Sequence, residues 1–475
     1  MNDVAWGALV VVFLTACGRG VLRLSRADRG HGRDIVLAAS FLVGAAAYSL
    51  MLLALSPVLG SFAVLGAAVC AAALAALALP RRLPPLRLPR PRAPSVASLL
   101  VTGVGCLLLG DLAAVAAGGL RSGLGWDGLA IYAMKASAIA GLGHVPAAVF
   151  SDPAMRWAHP EYPLLVPGAE ALIFQVAGLR EPALMPLFLA FDLALLAMLF
   201  AVGRRLLGIP FALIATCLLV VLPTFWDNAT RGYADVAMAA AATGTVGLVA
   251  LWIRDGHRND LALAGILGAV GIWTKREGAI IWAICLGTVV IRSFAARRLG
   301  PAIRFAVPVL ALVPWFIVLA IFRPSAADYL PVTASNVQGG LGRLPVIAGM
   351  ALGSLTAPDR LGWTWMLVVL AIFIALLRRA YAPLWLSAVA LAYVSLIALT
   401  FTLSVEVPWE LHMSTSYDRI VFEVTPLALL AVVSVLAPPP AQRPAQPGSV
   451  SRSLSASART SSTTIFSRRL AKRWR

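Results

Sequence analysis

Acids, cations and aromatic rings gather in one stretch of an otherwise apolar chain. Between Leu120 and Pro163 stand Trp126-Asp127-Gly128, Lys135 and His159-Pro160-Glu161-Tyr162-Pro163. Three more clusters follow: Asp227 to Asp235 with Arg231 and Tyr233, then Thr274-Lys275-Arg276-Glu277, then Glu406 to Arg419 with Glu410, His412, Tyr417 and Asp418. A partly buried carboxylate can take a proton from a hydroxyl as general base. Fixed Lys and Arg can neutralise a departing phosphate without giving it a proton. These residue types therefore suit displacement of an anionic lipid phosphate by an acceptor hydroxyl. Each residue alone is also explained as an interface anchor or helix cap; it is the four clusters together that point to function.

The elements that must position these groups are membrane helices. Of 475 residues 60% are hydrophobic and 13% charged, which is too apolar for a soluble globular chain. The net charge of +18 invites a nucleic-acid reading. However, the arginines fall in short loops between apolar runs, where the positive-inside rule expects them, so no nucleic-acid partner is indicated. Cys17, Cys70, Cys106, Cys217 and Cys285 all lie inside hydrophobic runs without paired spacing, which indicates neither a disulfide framework nor a zinc site. Lysine is rare: only Lys135, Lys275 and Lys472 occur among 39 basic residues. A GC-rich genome accounts for the scarcity but not for where Lys135 and Lys275 sit.

Charge bias sets the expected topology. Residues 4 to 22 are followed by Arg23, Arg26, Arg29 and Arg33, so the N-terminus faces outward, and no positive n-region marks a signal peptide. Residues 35 to 56 and 58 to 79 form a hairpin closed by a Pro/Arg-rich loop. A fourth span, 96 to 118, leads to the outer loop 119 to 182. In that loop Gly128 to Ile139 reads as a helix lying on the membrane surface, with Asp127 placed to cap it. Residues 164 to 178 are short for the roughly 20 residues a bilayer demands and carry Pro167, Glu170 and Gln175. Placing them at the interface keeps Arg204-Arg205 and every later Arg cluster inside. Spans then follow at about 183 to 203, 206 to 226, 234 to 252, 260 to 274, 278 to 294, 305 to 322, 361 to 377, 383 to 404 and 420 to 437. The expected fold is thus an all-α integral membrane bundle of about thirteen transmembrane helices with interfacial helices in the first long outer loop. Residues 438 to 475, rich in Pro, Ser and Arg and free of acids, read as a disordered basic cytoplasmic tail near the anionic inner leaflet.

In order, Trp126-Asp127-Gly128-Leu129-Ala130-Ile131-Tyr132-Ala133-Met134-Lys135-Ala136, Gly141, Tyr162-Pro163-Leu164, Tyr233-Ala234-Asp235 and Trp273-Thr274-Lys275 resemble the GT-C superfamily of polytopic glycosyltransferases. The pattern is nearest to its protein O-mannosyltransferase-like and aminoarabinose-transferase-like families. The resemblance covers residues 96 to 437 and leaves an N-terminal three-span extension, 1 to 95, and the tail outside. It implies inverting transfer of one sugar from a polyprenyl-phosphate donor to a hydroxyl of a lipid, glycan or protein at the extracytoplasmic face of a bacterial inner membrane. Carried over, the role of general base falls on Asp127; Asp235 matches the acid of the second outer loop; Lys275 and Arg419 match groups near the lipid phosphate. Gly128 stands where the family's first motif usually has a second acid, Tyr-Pro-Pro-Leu is shortened, and Arg276 replaces a common Gly.

The remaining candidates carry open alternatives. Lys135, two turns or roughly 12 Å beyond Asp127 along a helix, reaches the donor or snorkels to the interface. His159 and Glu161, with Tyr162, bind the acceptor or a divalent metal, with His144 and His412 as possible companions, although no metal-ligand spacing is present. Arg231 and Arg276 complete the substrate-binding set. Asp111 and Asp192 fall inside predicted spans, where ionisable groups often mark ion pathways. They support the rival class, a transporter or lipid-linked-sugar flippase, against which stand the missing inverted repeat and the polar groups gathered at one face.

Overall fold

The computed structural model describes residues 3–79, 96–324, 328–405 and 408–437. The Pro/Arg-rich loop, Glu406 and the basic tail lie outside the described residues. The chain is an all-α, multi-pass membrane protein. Among the described residues eight helices are long and apolar enough to cross a bilayer, and a ninth crossing arises if Ile209–Val220 and Pro223–Ala229, bent by 71°, act as one span. Shorter apolar helices, Leu165–Ala177, Thr364–Arg378 and Thr425–Ser434 among them, complete the bundle.

Packing separates a buried centre from a lipid-facing rim. In Asp235–Asp255 every residue from Asp235 to Leu251 is buried, which an Ala/Gly/Val-rich run permits because small side chains let neighbouring backbones approach. Gly244 and Gly247 meet Met198 and Val202 of the Met185–Leu207 helix there. By contrast, Gly278–Ala295 buries one face and exposes Ile291 and Phe294 on the other. The first two helices, Asp3–Leu24 and Arg33–Leu59, belong to the same core. Gly18 abuts the backbone at Ser40 and Gly44, and the Trp273 indole donates to Ser49 Oγ at 2.7 Å.

The bundle has two chemically distinct ends. At one end Arg204 meets Asp34 at 2.8 Å and Arg205 grips Asp260 through two bonds of 2.6 and 2.8 Å. The Met185–Leu207 helix carries the chain from there to the other end, 23 residues or about 35 Å away. That distance matches a bilayer's hydrocarbon core.

Both limits of the long stretch 119–182 sit at this second end. Leu124 N–H donates to Glu181 Oε2 at 3.4 Å, and Arg180 pairs with Asp3. The chain therefore enters and leaves the stretch at one end of the bundle, and Leu165–Ala177, at 13 residues, is short of the roughly 20 that a crossing needs. Nor does it lie on the surface as a half-exposed interfacial helix: Leu165 to Phe174 are all buried, with Gly168 against Ser49. The expected surface helix is likewise tucked inward, burying Gly128, Ala130 to Ala133, Lys135, Ala136 and Ile139.

Candidate active site

Helix ends deliver the charged groups. Asp235 lies in the first turn of Asp235–Asp255 and Lys275 directly follows Arg258–Thr274. An acid at a helix N-terminus and a cation at a C-terminus both complement the helix dipole, and the antiparallel pairing of these two helices puts both at the same end. Arg419 sits in the last turn of Trp409–Phe422, and Glu423 forms the junction to Thr425–Ser434.

These groups form one alternating ladder. Arg419 Nη2 meets Asp127 Oδ2 at 2.6 Å, and Arg419 Nε lies 3.7 Å from Asp235 Oδ2. Lys275 Nζ donates to Asp235 Oδ1 at 3.0 Å and to Glu423 Oε1 at 2.7 Å. The Tyr393 hydroxyl donates to the other Glu423 oxygen. The guanidinium of Arg419 also lies over the Tyr233 ring, 4.6 Å from its centroid. Depth differs sharply along the ladder. The Asp235, Glu423 and Lys275 side chains are 1%, 0% and 5% exposed, whereas those of Asp127 and Arg419 are 20% and 24% exposed. Asp127 is thus the only ladder carboxylate that an incoming group reaches, and its second oxygen is not committed to Arg419.

A second cluster lies beside the first. Lys135 Nζ donates to the His159 carbonyl at 2.5 Å, and His159 holds a left-handed backbone conformation, φ +51°, that presents this oxygen. Its ring stacks on Tyr162 at 4.4 Å and sits 3.3 Å from Glu161 Oε1 and 3.6 Å from Asp328 Oδ2. Arg276 reaches Glu161 at 3.4 Å and is 41% exposed, so it is the loosely held cation of the group. Glu161 Oε2 is buried with no hydrogen-bond partner. Burial pushes the Lys135 amine down to about 7, and Glu161 pulls it part of the way back. Buried Tyr132 separates the two clusters, within electrostatic reach of Lys275, Asp235, Asp127 and Arg419.

Several expectations change. Asp127 has helical backbone angles and makes no capping bond, because its carboxylate turns to Arg419 instead. Lys135 does not snorkel; it is buried, 1% exposed. His144 lies against the Leu142 carbonyl, and His412 bonds to Ser404. Among the described residues no three His, Cys, Asp or Glu side chains are placed to hold a metal ion. Arg231 pairs with Asp227, at 3.6 Å, at the exposed edge of the site. Its carbonyl does more, accepting from Gly125 N–H at 2.8 Å and lying where a Cβ on Gly128 would come within 2.6 Å. A second acid at position 128 would collide with that backbone. Glu423, Tyr393 and Asp328 join the site with no motif in the sequence to mark them. The first two sit within apolar runs, where a lone carboxylate four residues beyond Arg419 was the only available signal.

Comparison with family models, curated proteins and solved structures finds no match to this chain.

Proposed function

We propose that the chain is a GT-C-like glycosyltransferase that moves one sugar from a polyprenyl-phosphate donor to an acceptor hydroxyl, with inversion and with Asp127 as general base. The observation that carries this reading is the depth gradient of the ladder: three carboxylates share two cations, and Asp127 alone is accessible with an uncommitted oxygen. In a single displacement, Asp127 takes the acceptor's proton and the acceptor oxygen attacks the anomeric carbon. The sugar–phosphate C–O bond breaks, and its electron pair leaves with the phosphate. Arg419 orients Asp127, and buried Lys275 holds Asp235 and Glu423 beneath it. Because Lys275 is saturated by two carboxylates, the cation that meets the departing phosphate is the half-exposed Arg276, with Arg231 at the rim. Exposed Trp126 and Leu129 offer the polyprenyl chain an apolar approach beside Asp127.

In this reading the shorter helices complete a topology of about thirteen crossings, N-terminus out and C-terminus in, with the site on the outer face of a bacterial cytoplasmic membrane. Asp127→Asn should lower transfer by about 10²- to 10⁴-fold, the usual contribution of a general base, while donor-lipid binding persists. Sugar transfer in membranes, followed with radiolabelled polyprenyl-phosphate sugars, reads the first quantity and co-purified donor lipid the second; undiminished transfer in the variant sinks the assignment.

One observation favours a second reading, a transporter or flippase. Asp192 is buried in the bundle with neither carboxylate oxygen partnered, a placement expected of an ion-coupling site. Asp192→Asn abolishing lipid-linked sugar movement in vesicles, with Asp127→Asn silent, would establish it.

A further inference from the structure

A separate open pocket of about 330 Å³ with a mixed, mainly apolar lining lies between the Leu344–Leu355 and Trp409–Phe422 helices and the short Pro358–Leu361 turn, at the same end of the bundle as the ladder. Trp409–Phe422 is the shared wall: Arg419 faces Asp127, while Asp418, one residue earlier and about 100° around the helix, faces the cavity. Three features define what fits. The apolar part of the lining includes Met350, Gly353 and Met413. The polar side presents two carboxylates, Asp359 and Asp418, against one guanidinium, Arg360, which meets Asp418 at 3.1 Å. Ser354 also lines the space, and its Oγ is buried without a hydrogen-bond partner.

A phosphate is disfavoured there, because the only cation is already paired and a second carboxylate faces it. An acyl chain would leave the acids and the hydroxyl unsatisfied. A pyranose matches both parts of the lining: its C–H face covers the apolar part, and its hydroxyls donate to the carboxylates and accept from the guanidinium. The volume, at the lower end for ligand pockets, suits one or two rings. We infer that this cavity binds a monosaccharide unit of the acceptor, which makes the acceptor a glycan. The assignment to the acceptor rests on the transferase reading; the sugar site itself does not.

The test uses the full chain in detergent and saturation-transfer NMR with methyl β-D-glucopyranoside and methyl α-D-mannopyranoside as probes, and choline as a cationic control. Gly353→Leu adds bulk at the lining without disturbing the fold, since nothing lies within 4 Å of a Cβ there and leucine suits a helix better than glycine. Saturation transfer to the ring protons of at least one glycoside is expected in the native chain and in Asp127→Asn, and is expected to be lost in Gly353→Leu. No transfer to either glycoside, transfer unaffected by Gly353→Leu, or transfer to choline alone each overturns the sugar site. Absence of sugar transfer by the native chain would instead overturn the transferase reading and leave the binding result standing, so the two failures are distinguishable.

Discussion

Lys275 is the residue whose loss the ladder tolerates least. Among the described residues it is the cation in contact with Glu423, it is shared with Asp235, and all three side chains are buried. Removing one member of a buried ion pair leaves uncompensated charge and costs about 3 to 5 kcal/mol, so Lys275→Met should sharply lower the thermal unfolding midpoint in detergent. A change no larger than that of an exposed Arg231→Ala control would show that the ladder is not structural. Lys135 makes a pH-dependent contribution of opposite character. Burial pushes its amine down to about 7, whereas the unfolded chain keeps the ordinary value of 10.5. Between those values the unfolded state binds the extra proton, so stability rises with pH across the window, and the burial penalty is fully present below it. Unfolding midpoints measured at about pH 6.5 and 9.5 should differ more in the native chain than in Lys135→Met. The charged residues of the outer loop were legible because they interrupt hydrophobic runs. Glu423 was not, since it stands inside a run whose partners, Lys275 and Tyr393, are distant in sequence and supply its compensation only after folding.

At the scale of elements, the turn that carries Asp127 is built around a close approach. Gly128 opens a π-helical turn, Gly128–Ala133, and passes so near the Arg231 carbonyl that a Cβ would come within 2.6 Å of it. Widened turns of this kind often occur at functional sites, and Lys135, two residues beyond this one, reaches inward to His159. Gly128→Ala should cost about 1 to 3 kcal/mol from overpacking and should reduce transfer beyond its effect on stability, because the collision moves Asp127 relative to Arg419. Equal transfer at equal folded fraction would place Asp127 outside the chemistry. The positions of such helices were readable from polarity and length, but their depth was not. Residues 164–178 looked interfacial because Pro167, Glu170 and Gln175 break the run; burial of Leu165 to Phe174 depends on Ser49 and its neighbours, over a hundred residues earlier.

For the whole molecule, the two ends make a prediction about sidedness. Asp127 and its partners occupy one end, while Arg204 and Arg205, with Asp34 and Asp260, occupy the other, and the positive-inside rule assigns the arginine end to the cytoplasm. Ser151 lies in the stretch at the Asp127 end and is exposed. Ala296 is also exposed and follows Gly278–Ala295, an 18-residue helix that starts beside Lys275 and so ends about 27 Å away, on the arginine side. In a background lacking Cys70, Cys106 and Cys217, Ser151→Cys should react with a membrane-impermeant maleimide added to intact cells, and Ala296→Cys should react only after the membrane is opened. Cys17 and Cys285 can remain, since both are buried in the bundle. The reverse pattern would invert the protein and set the site facing the cytoplasm, where a polyprenyl-phosphate sugar would have to be used before it is flipped. Labelling of both positions from the same side would break the opposition of the two ends, and with it the convergence of Asp127, Asp235, Lys275 and Arg419 on a single face.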